Sequence, residues 1–107
     1  MAAVPTQVNT AVVPPLNTAV KATNNMGQTN VNAANQAARS YNTAANNASR
    51  IATNSSNGVV KNQMRAASGK LKAAAISAAL GNAQTAANHA ANAIKNLKNA
   101  VLHPSNY

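Results

Sequence analysis

Apolar residues recur along this chain at alternating intervals of three and four. Val31, Ala34, Ala38, Tyr41, Ala45, Ala48 and Ala52 step in that rhythm, with Asn, Gln, Ser and Arg at most positions between. A second series keeps it from Ala66 through Gly69, Ala73, Ile76, Leu80, Ala83, Ala87, Ala90, Ile94 and Leu97 to Val101. This is the a/d seam of a heptad, and it predicts two amphipathic α-helices, near 28–54 and 59–102, with no β-sheet. Asn54-Ser55-Ser56-Asn57-Gly58 separates them. Asn57-Gly58 tolerates positive φ, and Ser55 or Ser56 is a candidate cap for the helix that follows. Gly69 and Gly81 weaken the second helix by about 1 kcal/mol each relative to Ala, and Gly81 is a candidate bend. His103-Pro104 ends it.

Upstream the pattern changes. Pro5, Pro14 and Pro15 remove backbone donors and oppose a continuous helix, so residues 1–27 read as an extended arm. The arm carries an internal repeat, Val8-Asn-Thr-Ala-Val12 and Leu16-Asn-Thr-Ala-Val20, offset by eight residues around the proline pair. Each copy can lay an apolar residue into a pocket on a neighbour; the plainer expectation is a loose terminal tail. Asn24, Asn25 and Gly27 mark a turn before the helical body at 28–107.

The seam is built mainly from alanine, which supplies more than half of the 46% hydrophobic content. There is no Phe or Trp, and Tyr41 and Tyr107 are the only aromatics. Burying a Leu or Ile contributes about 1.5–3 kcal/mol and Ala far less. A lone monomer of this composition is expected to be marginal. The expected fold class is therefore all-α: an extended arm and two Ala-rich helices, as a hairpin or elongated rods, packed in an oligomeric assembly. Ala34, Ala38, Tyr41, Ala45, Ala48, Ile76, Leu80, Ala83, Ala87, Ala90, Ile94 and Leu97 are the candidate helix-packing residues. Small side chains on such a seam let helix axes approach closely.

Charge changes the picture most. Nine Lys and Arg face no Asp or Glu, for a formal net charge of +9. No carboxylate can neutralise them from within, which points to a polyanionic partner. Arg39, Arg50, Lys61 and Lys72 are spaced by eleven residues, close to three helical turns, so members of one helix share a face. Arg65, Lys70, Lys95 and Lys98 extend the charge along the second helix. These eight are the candidate nucleic-acid-binding residues, contacting phosphate without reading sequence, since neither aromatic is placed to stack on bases. Lys95, Lys98 and His103 also suit the negative end of a helix dipole. The competing reading is a solvated basic face that keeps an Ala-rich helix soluble.

The same composition argues against catalysis. Without Asp, Glu or Cys there is no carboxylate acid or base, no thiol nucleophile and no carboxylate metal ligand. His89 and His103 alone make a poor metal site. The protein is read as not an enzyme, with no cofactor, no metal and no small-molecule substrate. No apolar run is long enough to span a bilayer, and the N-terminus lacks the pattern of a secretory signal.

Thr43-Ala-Ala-Asn46 recurs as Thr85-Ala-Ala-Asn88, six heptads later. On Ala-rich helices these units resemble the type I fish antifreeze proteins, which implies ice binding. The Thr residues do not keep that family's eleven-residue period, and the Asn content and charge depart from it. In general character the chain is similar to small accessory and internal structural proteins of viruses and bacteriophages. That resemblance implies a structural, non-enzymatic role in a virion or intracellular nucleoprotein assembly. The expected partners are then copies of itself, other subunits and nucleic-acid backbone. A free nucleic-acid-binding or condensing protein is the alternative, and a membrane-active basic protein is disfavoured because the apolar stripe is mostly Ala.

Overall fold

In the computed structural model, which describes residues 3–27 and 29–107, four antiparallel helices pack side by side in a rod 44 × 19 × 18 Å. Met1 and Ala2 of the expected arm, and Gln28 at the expected start of the helical body, lie outside the described residues. The first helix, α1, covers residues 4–24; α2 is Val31–Asn54, α3 Gly58–Ala79 and α4 Ala83–Val101. A short 3-10 turn, Pro104–Asn106, follows. No strand occurs among the described residues. In chain order α1 packs on α2, α2 on α3 and α3 on α4, and α4 returns to α1 with a thinner contact.

The expected extended arm is instead helical. Its α turn Val4–Gln7 runs into a π segment, Val8–Val12, and then the α-helix Val13–Asn24. Two devices let a helix carry Pro14-Pro15. The π segment shifts the hydrogen-bond register, with the Val13 N–H reaching back five residues to the Val8 carbonyl. Pro15 has no N–H for the carbonyl four residues earlier, that of Ala11. Asn47 of α2 donates to that oxygen instead, Nδ2 to O at 2.8 Å. The proline pair thus opens the α-helix that follows, where its fixed φ is suited. Replacing Asn47 by Ala leaves this half-buried carbonyl short of a donor. We expect a loss of about 1–3 kcal/mol, read by urea denaturation.

The π segment also explains the repeat. A π turn takes up more residues than an α turn, so eight residues bring the chain back near the same side after two turns. Val8 and Leu16 are accordingly both buried, and Asn9 and Asn17 are both exposed.

The expected single helix over 59–102 is two helices. Helix α3 ends in a Schellman motif: the Gly81 N–H bonds the Ala78 carbonyl and the Asn82 N–H bonds that of Ser77. Gly81 has φ +81°, which favours glycine. Asn82 then accepts from the Thr85 N–H and starts α4. Asn also caps α2 and α3, whereas α1 begins at Ala3 with no side-chain cap. Asn30 accepts from the Ala33 N–H, and Asn57 from those of Val59 and Val60. The α3 cap is therefore Asn57 and not Ser55 or Ser56. In a chain without Asp, Asn provides the side-chain acceptor that helix N-termini require.

Alanine supplies most of the buried side chains, with Val8, Val12, Leu16, Met26, Tyr41, Ile51, Val60, Met64, Leu71 and Leu97 among them. On α2, Ala34, Tyr41, Ala45 and Ala48 are buried, Ala38 is half-buried and Val31 is exposed. The chain's own helices cover these positions. On α3 the interior stripe is Val60, Met64, Ala67, Leu71, Ala74 and Ala78. Ile76 and Leu80, expected to pack, stand exposed at 63% and 80%. On α4, Ala90 and Leu97 are buried, Ala83 and Ile94 half-buried, and Ala87 exposed; Ala86, Ala93 and Ala100 complete the buried stripe.

A side-chain hydrogen bond joins the buried faces of α1 and α2. The Thr23 hydroxyl donates to the Ala19 carbonyl at 2.8 Å, so its oxygen accepts from the Tyr41 hydroxyl at 2.9 Å. Burial pushes the Tyr41 phenol above its ordinary value near 10. Because the folded state holds this proton more tightly than the unfolded chain, stability is unaffected below about pH 10 and falls as pH rises above it. Tyr41→Phe should flatten that alkaline fall relative to wild type. Urea midpoints measured across that range on both proteins cancel the lysine titration they share.

Candidate nucleic-acid interface

The basic residues take their places from the buried stripes. On α2, Arg39 and Arg50 are exposed and lie opposite the stripe that contains Ala37, Ala44, Ala48 and Ile51. Their spacing of eleven returns them to within about 20° of each other, about 16 Å apart along the axis. Residues 61, 65, 68 and 72 form one row on α3, separated by four, three and four. Ser68 in that row is buried against α2, donating from Oγ to the Ala45 carbonyl at 2.8 Å. Lys61, Arg65 and Lys72 therefore emerge on the α2 side of α3, with Arg65 and Lys72 exposed and Lys61 half-buried.

The Ser68 bond also fixes the relative height of the two antiparallel helices. Arg50 comes level with the stretch between Lys61 and Arg65, and Arg39 with Lys72. Lys61, Arg65 and Lys72 thus line the α2 flank of α3, Arg39 stands on the outer face of α2, and Arg50 turns toward α1, where it lines a shallow pocket with Gln7, Thr10 and Ala11. Among the described residues no ion pair neutralises them, since the chain contains no Asp or Glu.

The other three candidate cations lie elsewhere. Lys70 is half-buried on the far flank of α3, where its Nζ donates to Oδ1 of Asn96 on α4. Asn96 in turn donates from Nδ2 to Oε1 of Gln63 at 2.7 Å. Lys70 is therefore part of an α3–α4 bridge. Lys95 and Lys98 are exposed on α4, diagonal to α2 across the bundle. Lys21, not singled out from the sequence, is exposed on α1. Gln63 and Asn96 were equally unremarkable in the sequence, because pairing between α3 and α4 depends on the turn at Gly81.

His103 Nδ1 accepts from the Ser105 N–H and lies 2.9 Å from its Oγ, so it caps the terminal turn. His89 is half-buried on α4. No cluster of three or more His, Cys, Asp or Glu occurs among the described residues. Among the described residues no helix is long and apolar enough to cross a membrane. Thr43 and Thr85 sit on the diagonal helices α2 and α4 and share no row. Tyr41 is wholly buried, and Tyr107 lies at the terminus, donating from its hydroxyl to the Val101 carbonyl.

The outer surface of α2 and α3 thus carries exposed cations along its length. Comparison of the chain with protein-family models, with curated proteins and with solved structures gave no match.

Proposed function

We propose that this protein is a non-enzymatic structural component of a nucleoprotein assembly, of the kind packaged in a virus or bacteriophage particle. In this reading it holds nucleic acid by the backbone. The observation that supports it is the outer surface of α2 and α3, which carries Arg39, Arg50, Lys61, Arg65 and Lys72 in a chain with no Asp or Glu to screen them. Arg and Lys on an exposed helical face suit phosphate oxygens, and binding releases the counterions condensed on the polymer. No aromatic side chain is placed beside these cations, so contacts are expected to the backbone and not to bases. The Asn residues on the same side can donate to phosphate or sugar oxygens.

One observation favours the alternative of a free nucleic-acid-binding protein: the four helices bury most of their apolar stripes within a single chain. Both readings share the same contacts, and both are tested by binding to unrelated duplexes at low salt. Equal affinity for different sequences is expected. Absence of binding at low salt would leave the basic side as a means of keeping the rod soluble.

A further inference from the structure

The side of the bundle opposite α2 and α3 is the side that does not close. Helices α1 and α4 meet less extensively than the other neighbouring pairs. Between them runs an open groove of about 550 Å³, with Val8 and Leu16 of the repeat on one side and Ile94 and Val101 on the other. Asn9 and Asn17, the equivalent polar members of the two repeat copies, line one lip, and Lys98 lines the other. A smaller cavity of about 180 Å³ beside Val20 and Ala91 continues the groove toward the opposite end. From Val8 to Val20 the first helix rises about 18 Å, the length of a little over three α-helical turns.

We infer that this groove docks an acidic amphipathic helix from a partner protein. The shape favours a helix, because two antiparallel helices leave a straight channel and a helix brings its backbone hydrogen bonds with it. The groove wall is mainly apolar, so an extended strand would leave its donors and acceptors unpaired there. The charge selects the partner. Lys98 makes no hydrogen bond to a described residue, and this chain has no Asp or Glu to meet it. A second copy would bring another +9 and no carboxylate to the same place, which opposes self-pairing. A partner helix with Leu or Ile on one face and Glu or Asp beside it satisfies both the groove and its lip. The inference stands apart from the nucleic-acid reading, and the two opposite sides of the rod leave room for both ligands together.

The test uses a synthetic helical peptide with leucine at i, i+4, i+7 and i+11 and glutamate at most other positions. Two controls have the same composition in scrambled order, and lysine in place of glutamate. Fluorescence anisotropy on the full chain should show the patterned acidic peptide binding, and both controls binding at least about tenfold more weakly. Lys98→Glu and Leu102→Asp, both exposed and both lining the groove, should each weaken it about tenfold, with circular dichroism verifying that each variant is folded. Lys61→Gln with Arg65→Gln, on the opposite side, should leave the affinity within about twofold. The inference is overturned if the patterned peptide does not bind, if the scrambled or lysine peptide binds equally well, or if the α4 variants have no effect. Sedimentation showing a dimer of the chain that Leu102→Asp dissociates would assign the groove to a second copy and overturn it as well.

Discussion

Leu71→Ala is expected to destabilise the bundle by about 2–5 kcal/mol, whereas Leu80→Ala should change stability by less than about 0.5 kcal/mol. The two leucines lie nine residues apart on or beside the same helix and have identical chemistry. Leu71 has no exposed surface and is among the largest wholly buried side chains, with Tyr41, Met26, Met64, Val12 and Val60. Leu80 is 80% exposed at the helix end. In a core made mostly of Ala, few side chains carry much apolar area, so each large one holds a greater share of a small total. Neighbouring Ala and Val side chains have little reach to refill the space that a shortened Leu71 leaves. Urea denaturation of the two variants decides the register of α3. Equal losses would mean that the stripe through Ile76 and Leu80 also packs in the interior.

That register is also where the sequence was hardest to read. Val60, Met64, Ala67, Leu71, Ala74 and Ala78 alternate by four and three as regularly as the series through Ile76 and Leu80. The second series looked better because it continues unbroken through Gly81 to Leu97. In a single helix that continuity would matter. The Schellman turn at Gly81 removes it and resets the phase, so α3 and α4 each choose their own stripe. The break was visible in the chain as Gly81-Asn82, a helix-ending glycine followed by a helix-starting asparagine, but the longer periodicity outweighed it.

The α2 stripe was more legible because no internal break competes with it: Tyr41, Ala45 and Ala48 share one frame and all are buried. The N-terminal segment was misread for another reason. Proline costs are local, whereas the compensation comes from Asn47, thirty-six residues beyond Ala11. The repeat of eight carried a trace of it, since eight residues fit two turns only if one of them is widened.

Of the candidate binding residues, the rows at Arg39 and Arg50 and at Lys61, Arg65 and Lys72 followed from helical spacing. How the two rows sit relative to each other did not, because it depends on the packing of α2 between α1 and α3, and Arg50 turns toward α1. Lys70 is the instructive exception. It lies two residues from Lys72, which on a helix is a rotation of about 200°, so it points to α4 instead.

The second large effect follows from this arrangement. Replacing Arg39, Arg50, Lys61, Arg65 and Lys72 together by Gln is expected to lower affinity for duplex DNA by about 10²–10³-fold near physiological salt. Four of the five are exposed and Lys61 is half-buried, so the variant should remain folded, which circular dichroism checks. Lys95→Gln with Lys98→Gln, a change on the far side, should lower affinity by no more than a few-fold. Comparable losses from the two variants would mean that nucleic acid responds to total charge and not to the α2–α3 side.

The most direct test of the central claim is the salt dependence of binding by the unmodified protein. If about five phosphates are neutralised, log affinity for duplex DNA should fall with log salt at a slope of about −4 to −5, equally for unrelated sequences. Lys72→Gln should reduce the magnitude of that slope by about 1, and Lys70→Gln, already engaged with Asn96, should leave it unchanged. A slope near zero, or a full slope that survives loss of all five cations on α2 and α3, would contradict the account.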